Sequence, residues 1–253
     1  MARLPEWVYR LQHSLYPYVI PFSFGPRPRP GQFEIHSATA FLLDLGAIPL
    51  LITAGHVMDQ ALQELASDPS TLIMLGNHRV VIDPADVKRA ARDLAAVALT
   101  DRLAAKLEGN YQIVRPPTWP PHELHTGDPV IVSGFPGPWR LVTSSFDVDF
   151  RAIISLALIH SVNEEEFLCH VDPAYLEERA EPTTILEDDL PEARVGGLSG
   201  APGFLVRNQD PKALVIPQLC GIVKEGGGSE ILGAGHRLIY FTRLDRLRPD
   251  GRM

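Results

Sequence analysis

The chain has 253 residues, enough for one large or two small domains with a real buried core. Hydrophobic residues make up 45% and charged residues 21%, the balance of an ordinary soluble globular protein. The formal net charge is −8 and no lysine-rich or arginine-rich run occurs, which sets nucleic acid aside as a partner, because neutralising phosphates takes a basic footprint.

No apolar stretch reaches bilayer-spanning length; the longest, AFLLDLGAIPLLITA, is broken by Asp44 and Pro49. No membrane partner is expected. The N-terminus, MARLPEWVYRLQHSLYPYVIPF, has no basic start, apolar centre and small-residue cleavage site in the order of an export signal. Two cysteines, Cys169 and Cys220, are too few for a secreted disulfide framework. Reduced thiols and a cytoplasmic location are expected, with a Cys169–Cys220 bridge left open.

In chain order, the aromatic N-terminal segment is expected to pack against a barrel or to dock a partner. The runs QFEIHSATAFLLDL, IPLLITAGH, TLIMLG, RVVID and DLAAVALT then read as short strands, followed later by PVIVSGF, WRLVTSSFDV, AIISLALIHS, FLCHV, APGFLV, ALVIPQLCGIV and RLIYFT. Turn signals separate them, the pattern of an all-β sandwich or barrel pair. HVMDQALQELASD has helical spacing and predicts one short helix from His56, and PADVKRAARDLA predicts a second turn or two. The proline-rich stretch 106–127 divides the chain into an N-terminal half, 1–105, and a C-terminal half, 128–253. The acidic runs NEEEF, YLEERAE and LEDDLPEA read as a solvated loop or a partner-docking insertion.

Three stretches carry candidate chemistry. In LLITAGHVMD an apolar strand ends just before His56, which suits a general base exposed to a cleft and also suits a plain helix-capping histidine. In RDLAAVALT, Asp93 precedes a strand and is placed to accept the histidine N–H, with Asp83 and Asp86 as rivals. In RVGGLSGAPGF, Ser199 lies between Gly197 and Gly200, where the turn can aim two backbone N–H groups, those of Gly197 and Ser199, at a developing oxyanion. Serine beside glycine is also ordinary loop sequence.

The order His, Asp, Ser is that of the chymotrypsin barrels. TAGH, DLA and GLSGAP resemble the histidine, aspartate and nucleophile motifs of the chymotrypsin-like (trypsin-like) serine peptidases, especially the bacterial members without disulfides. GDPVIVSGFPG resembles the start of their second barrel and LCGIV the strand lining their cleft. The resemblance covers residues 34–245. It implies two packed β-barrels with one or two short helices, and a site in the cleft between them. His56, Asp93 and Ser199 are then a catalytic triad acting on a peptide or protein substrate, with no cofactor and no metal.

Two departures stand out. Leu198 replaces the aspartate that pairs with a freed N-terminus in animal members, so activation by N-terminal cleavage is not expected. HSATAF, before the histidine, lacks the glycines common there. The resemblance puts Ala193 at the base of the substrate pocket and Lys224, Glu225 and Gly226 along its wall, where backbone groups can pair with an extended peptide. Glu192 and Glu225 would favour a basic side chain, and His236 would reach the pocket only if it is not simply a surface or core histidine. Because such an enzyme must be restrained, narrow specificity, a regulatory protein partner or a distorted resting site is a further expectation. A catalytically silent peptide-binding protein on the same fold is the alternative. An α/β-hydrolase esterase using Ser199, Asp210 and His236 fails, because Ala201 stands where the elbow motif needs glycine and too few residues follow. His122 and His125 in HELH have no third metal ligand at a characteristic spacing, and Cys169 and His170 fall on opposite faces of a strand.

Overall fold

The computed structural model describes residues 10, 14–26, 35–90, 93–135, 140–144, 147–150, 152–179, 197–206, 217–226 and 237–252. The first half is one eight-stranded sheet curled into a half-barrel. Its strands are β1 (Ile20–Gly25), β2 (His36–Asp44), β3 (Pro49–Ala54), β4 (Leu72–Leu75), β5 (His78–Val80), β6 (Val87–Ala90), β7 (Leu94–Ala98) and β8 (Ile113–Val114). They lie in the order β5-β4-β1-β2-β3-β7-β6, with β8 pairing β2 in parallel. The second half is a closed barrel of β9 (Pro129–Gly134), β12 (Ala152–Val162), β13 (Glu166–Arg179), β14 (Pro202–Leu205), β15 (Gln218–Gly226) and β16 (Arg237–Arg243). Between β9 and β12, β10 (Arg140–Ser144) and β11 (Asp147–Phe150) form a separate two-stranded ladder. The all-β, two-barrel plan expected from the sequence is thus present.

The strand sequences explain the plan. β2 and β3 are nearly continuous apolar runs because both faces are covered: Leu42 and Leu51 point into the half-barrel core with Phe22 and Met58, while Phe41, Leu43, Leu50 and Ile52 pack against Ile131, Phe204, Leu219 and Ile222 of the second half. That shared core joins the halves, and each such side chain contributes about 1.5–3 kcal/mol on burial. Inside the closed barrel, Phe167 and Phe241 stack with centroids 4.6 Å apart, beside Cys169 and Cys220. Both cysteines are free thiols. The N-terminal aromatics strap the halves together: Ile20–Gly25 is a strand of the first sheet, while Tyr16 meets Phe135 and Tyr18 meets Phe204 on the barrel.

The predicted helix from His56 is present as Gly55–Ser67, with Val57, Met58 and Ala61 buried against the sheet. The second predicted turn is present in part. In PADVKRAARDLA, Pro84–Asp86 makes a single turn, held by Asp83 accepting from the Ala85 N–H, and Val87–Ala90 is strand β6. Pairing with β7, Val87 opposite Val97, supplies more backbone hydrogen bonds than an isolated turn and buries Val87. A helix the sequence reading passed over, Asp101–Glu108, lies at the edge of the expected linker. Thr100 caps it by accepting from the Leu103 N–H, and Ala104 and Leu107 are buried in the first core. Within the expected linker 106–127, residues 115–127 hold neither helix nor strand.

Candidate functional site

Strand register brings His56 and Asp93 together. β3 runs antiparallel to β7 with Ala54 opposite Leu94, so Gly55 and Asp93 meet one step beyond the last pair. The Gly55 N–H donates to the Asp93 carbonyl at 3.0 Å. The helix that follows has Ala54 at its N-cap, which offers no side-chain acceptor. Asp93 takes that role from the neighbouring strand, its Oδ1 accepting the His56 backbone N–H at 2.7 Å. This satisfies an amide otherwise left over at the helix start and sets a carboxylate against the positive end of the helix dipole.

The same carboxylate holds the ring. His56 Nδ1 lies 2.8 Å from Asp93 Oδ2 and 3.0 Å from Oδ1. A carboxylate accepts only, so Nδ1 carries a proton, and in the neutral ring Nε2 is the acceptor. The His56 side chain is half exposed and Asp93 is largely enclosed. Asp93 sits at φ 58°, a left-handed conformation that aspartate tolerates better than most residues. Gly55 fits tightly beside it: an added Cβ would stand 3.1 Å from both the Asp93 carbonyl carbon and Oδ1.

Ser199 occupies a tight turn in the second half. The Ala201 N–H donates to the Leu198 carbonyl at 2.7 Å and Gly200 has φ 86°, the pattern of a type II turn with Ser199 at its first central position. The turn is joined to the barrel by Gly200 N–H to the Val223 carbonyl and Val223 N–H to the Ala201 carbonyl, each 2.8 Å. It is pressed onto the first half. The Thr39 N–H on β2 donates to the Ser199 carbonyl at 3.0 Å, and a Cβ on Gly200 would lie 2.1 Å from the Thr39 carbonyl oxygen and 3.0 Å from the Ala54 nitrogen. Ala54 is two residues before His56, so the serine turn abuts the start of the histidine helix. Among the described residues, the Gly197 and Ser199 amides donate to no backbone carbonyl.

The other sequence candidates divide. Asp83 and Asp86 are not partners of His56: they line a cavity of about 80 Å³ with Leu51, Leu75 and Val97. The Lys224 ammonium is paired with Glu166 Oε1 at 2.6 Å. Glu225 and Gly226 lie on β15, opposite Tyr240 and Ile239 of β16. Ala193, Glu192, Asp210 and His236 fall outside the described residues. His125 is beside Asp128 and His122 is exposed; among the described residues, no group of three or more ligating side chains could hold a metal ion. Cys169 is in the barrel core while His170 stacks on His160, so the two do face apart. Thr39 and Thr53 are the residues the sequence reading missed.

A histidine–aspartate pair on a half-barrel faces a serine turn on a closed barrel. The half-barrel and the closed barrel make the double-barrel plan that the sequence resemblance implies. No family model matches the chain, and no curated protein matches it. Among solved structures it is similar to a scabies mite inactivated protease paralogue, SMIPP-S-I1, with 14% identity, a TM-score of 0.47, and coverage of 91% of this chain and 90% of that chain. A likeness of that size says nothing about activity. Among the described residues, no helix is long and apolar enough to cross a membrane.

Proposed function

We propose that the protein is a serine endopeptidase in which His56, Asp93 and Ser199 form the triad. The observation that carries this is the double hold of Asp93 on His56, backbone and ring, beside a tight turn that presents a serine. Ring and carboxylate fix the tautomer in which Nε2 is the base. In the reaction the Ser199 hydroxyl adds to the peptide carbonyl carbon while Nε2 takes its proton. The carbonyl oxygen becomes an oxyanion facing the Gly197 and Ser199 amides. The leaving amine then takes the proton from His56, and water, deprotonated by the same nitrogen, releases the acyl group from Ser199. Neither a metal nor a cofactor enters these steps. Lys224 to Gly226 extend β15 beyond Val223, where the Ser199 turn makes its last backbone pairing, so an extended peptide adding to that edge would lie across the serine. Two buried free thiols fit a reducing, cytoplasmic setting.

The second reading, a cleft that holds a peptide without cutting it, would use the same β15 edge. A carboxylate that holds the ring of a histidine beside the serine turn serves catalysis and not peptide holding, which favours the enzyme. A fluorophosphonate probe with mass mapping separates the two: the enzyme is labelled on Ser199, and a silent binder is not labelled.

A further inference from the structure

We infer that Thr39 is a positioning residue for the serine turn, reaching across from the opposite half of the molecule; the inference rests on the proposed serine chemistry. Thr39 lies on β2 and is fully buried. All of its polar atoms are used. Its N–H donates to the Ser199 carbonyl at 3.0 Å. Its hydroxyl donates to the Gly197 carbonyl at 3.2 Å and accepts from the Phe135 N–H at 2.9 Å. Its carbonyl accepts from the Thr53 hydroxyl at 2.8 Å, and Thr53 is buried on β3 three residues before His56.

One residue therefore ties the serine turn and the end of the barrel strand to the strand beside the histidine. Gly197 and Ser199 are the two residues whose amides are proposed to face the oxyanion, and Thr39 grips the carbonyl of each. Those carbonyls fix the peptide planes 197/198 and 199/200, which flank the plane carrying the Ser199 N–H, so the two bonds hold that donor from both sides and steady the turn as a whole. Phe135 directly follows β9, so the same hydroxyl also registers the barrel wall against the turn. Gly134 leaves room for this: a Cβ there would stand 2.8 Å from the Thr39 hydroxyl. Glycine at 39 would keep the backbone bonds and lose both hydroxyl bonds.

The test compares the full-length parent with Thr39→Ser, which keeps the hydroxyl, and Thr39→Val, which keeps the shape without it. Two readouts are taken on folded protein: the fluorophosphonate labelling rate as a function of pH, and amide hydrogen exchange of the 197–206 segment by mass spectrometry. Thr39→Val is expected to label about 10 to 100-fold more slowly at every pH, with the midpoint of the pH profile unmoved because the His56–Asp93 pair is untouched. Exchange at 197–206 should quicken at least about tenfold, and Thr39→Ser should stay near the parent in both. If Thr39→Val does not fold, Thr53→Val, one bond further out, should show the same direction with a smaller change. Parent-like labelling and exchange in Thr39→Val, or a Thr39→Ser as impaired as the valine, would overturn the inference. If the parent itself is not labelled, the peptidase reading fails, and the exchange comparison alone decides whether Thr39 holds the turn.

Discussion

Asp93 caps the helix that carries His56 and holds the His56 ring with the same carboxylate: Oδ1 accepts the backbone N–H at 2.7 Å and Oδ2 meets Nδ1 at 2.8 Å. Structure and proposed chemistry therefore depend on one side chain, and two substitutions separate them. Asparagine keeps an acceptor for the backbone N–H and tolerates the left-handed φ of 58°, but its amide donates toward Nδ1 and reverses the tautomer. Asp93→Asn should fold normally and label with a serine probe about 10⁴-fold more slowly. Asp93→Ala loses the cap and adopts the left-handed region poorly, so urea unfolding should place it roughly 2 kcal/mol below Asp93→Asn. Equal stability of the two would show that Asp93 is not the cap.

Gly200 and Gly46 test whether the serine turn is locked against the first half. Both have positive φ, 86° and 90°. A Cβ on Gly46 meets nothing within 4 Å, whereas one on Gly200 meets the Thr39 carbonyl oxygen at 2.1 Å and the Thr53 hydroxyl at 2.5 Å. Gly46→Ala should cost only backbone strain, about 1 kcal/mol. Gly200→Ala must push the two halves apart and should cost over about 3 kcal/mol or prevent folding. Similar melting temperatures for the two variants would mean that the turn is not held against β2.

Burial pushes the Cys169 thiol well above the usual range, and neighbouring Cys220 adds to the shift. A thiol raised in the folded state keeps its proton where the unfolded chain loses it. The resulting stability is fully present below the ordinary thiol pKa of about 8.5 and is lost as pH rises from there toward the folded value. Unfolding free energy should therefore decline above about pH 8.5. A disulfide-exchange reagent at pH 8 should find no reactive thiol in the native protein and both Cys169 and Cys220 after denaturation without reductant. Reaction in the native state would contradict the packing, and no reaction after denaturation would reveal a disulfide.

The site was more legible in the sequence than its supports. His56, Asp93 and Ser199 follow strand ends or glycines, features that local pattern exposes, and the structure brings His56 and Asp93 into contact and the Ser199 turn to the start of the same helix. What failed was decided by distant partners. Val87–Ala90 has a mixed local pattern and became a strand because β7 lay alongside it. The helix Asp101–Glu108 was masked by the prolines that follow it, although Thr100 and the spacing of Leu103, Ala104 and Leu107 mark it in hindsight. Thr39 carried no local signal, because its four bonds reach residues 14, 96, 158 and 160 positions away in sequence.

The most direct measurement is fluorophosphonate labelling of the parent, Ser199→Ala and His56→Ala, with the modified residue mapped by mass spectrometry. Ser199→Ala removes one oxygen from a turn held by backbone bonds, so its melting temperature should match the parent's. The parent should carry one adduct, on Ser199; Ser199→Ala should carry none, and His56→Ala should label far more slowly. On any peptide the parent cleaves, each single variant should fall by about a millionfold and the double variant barely further, because triad members act as a unit. An adduct that persists in Ser199→Ala, or a folded parent that takes up no probe, would contradict the assignment of Ser199 as the nucleophile.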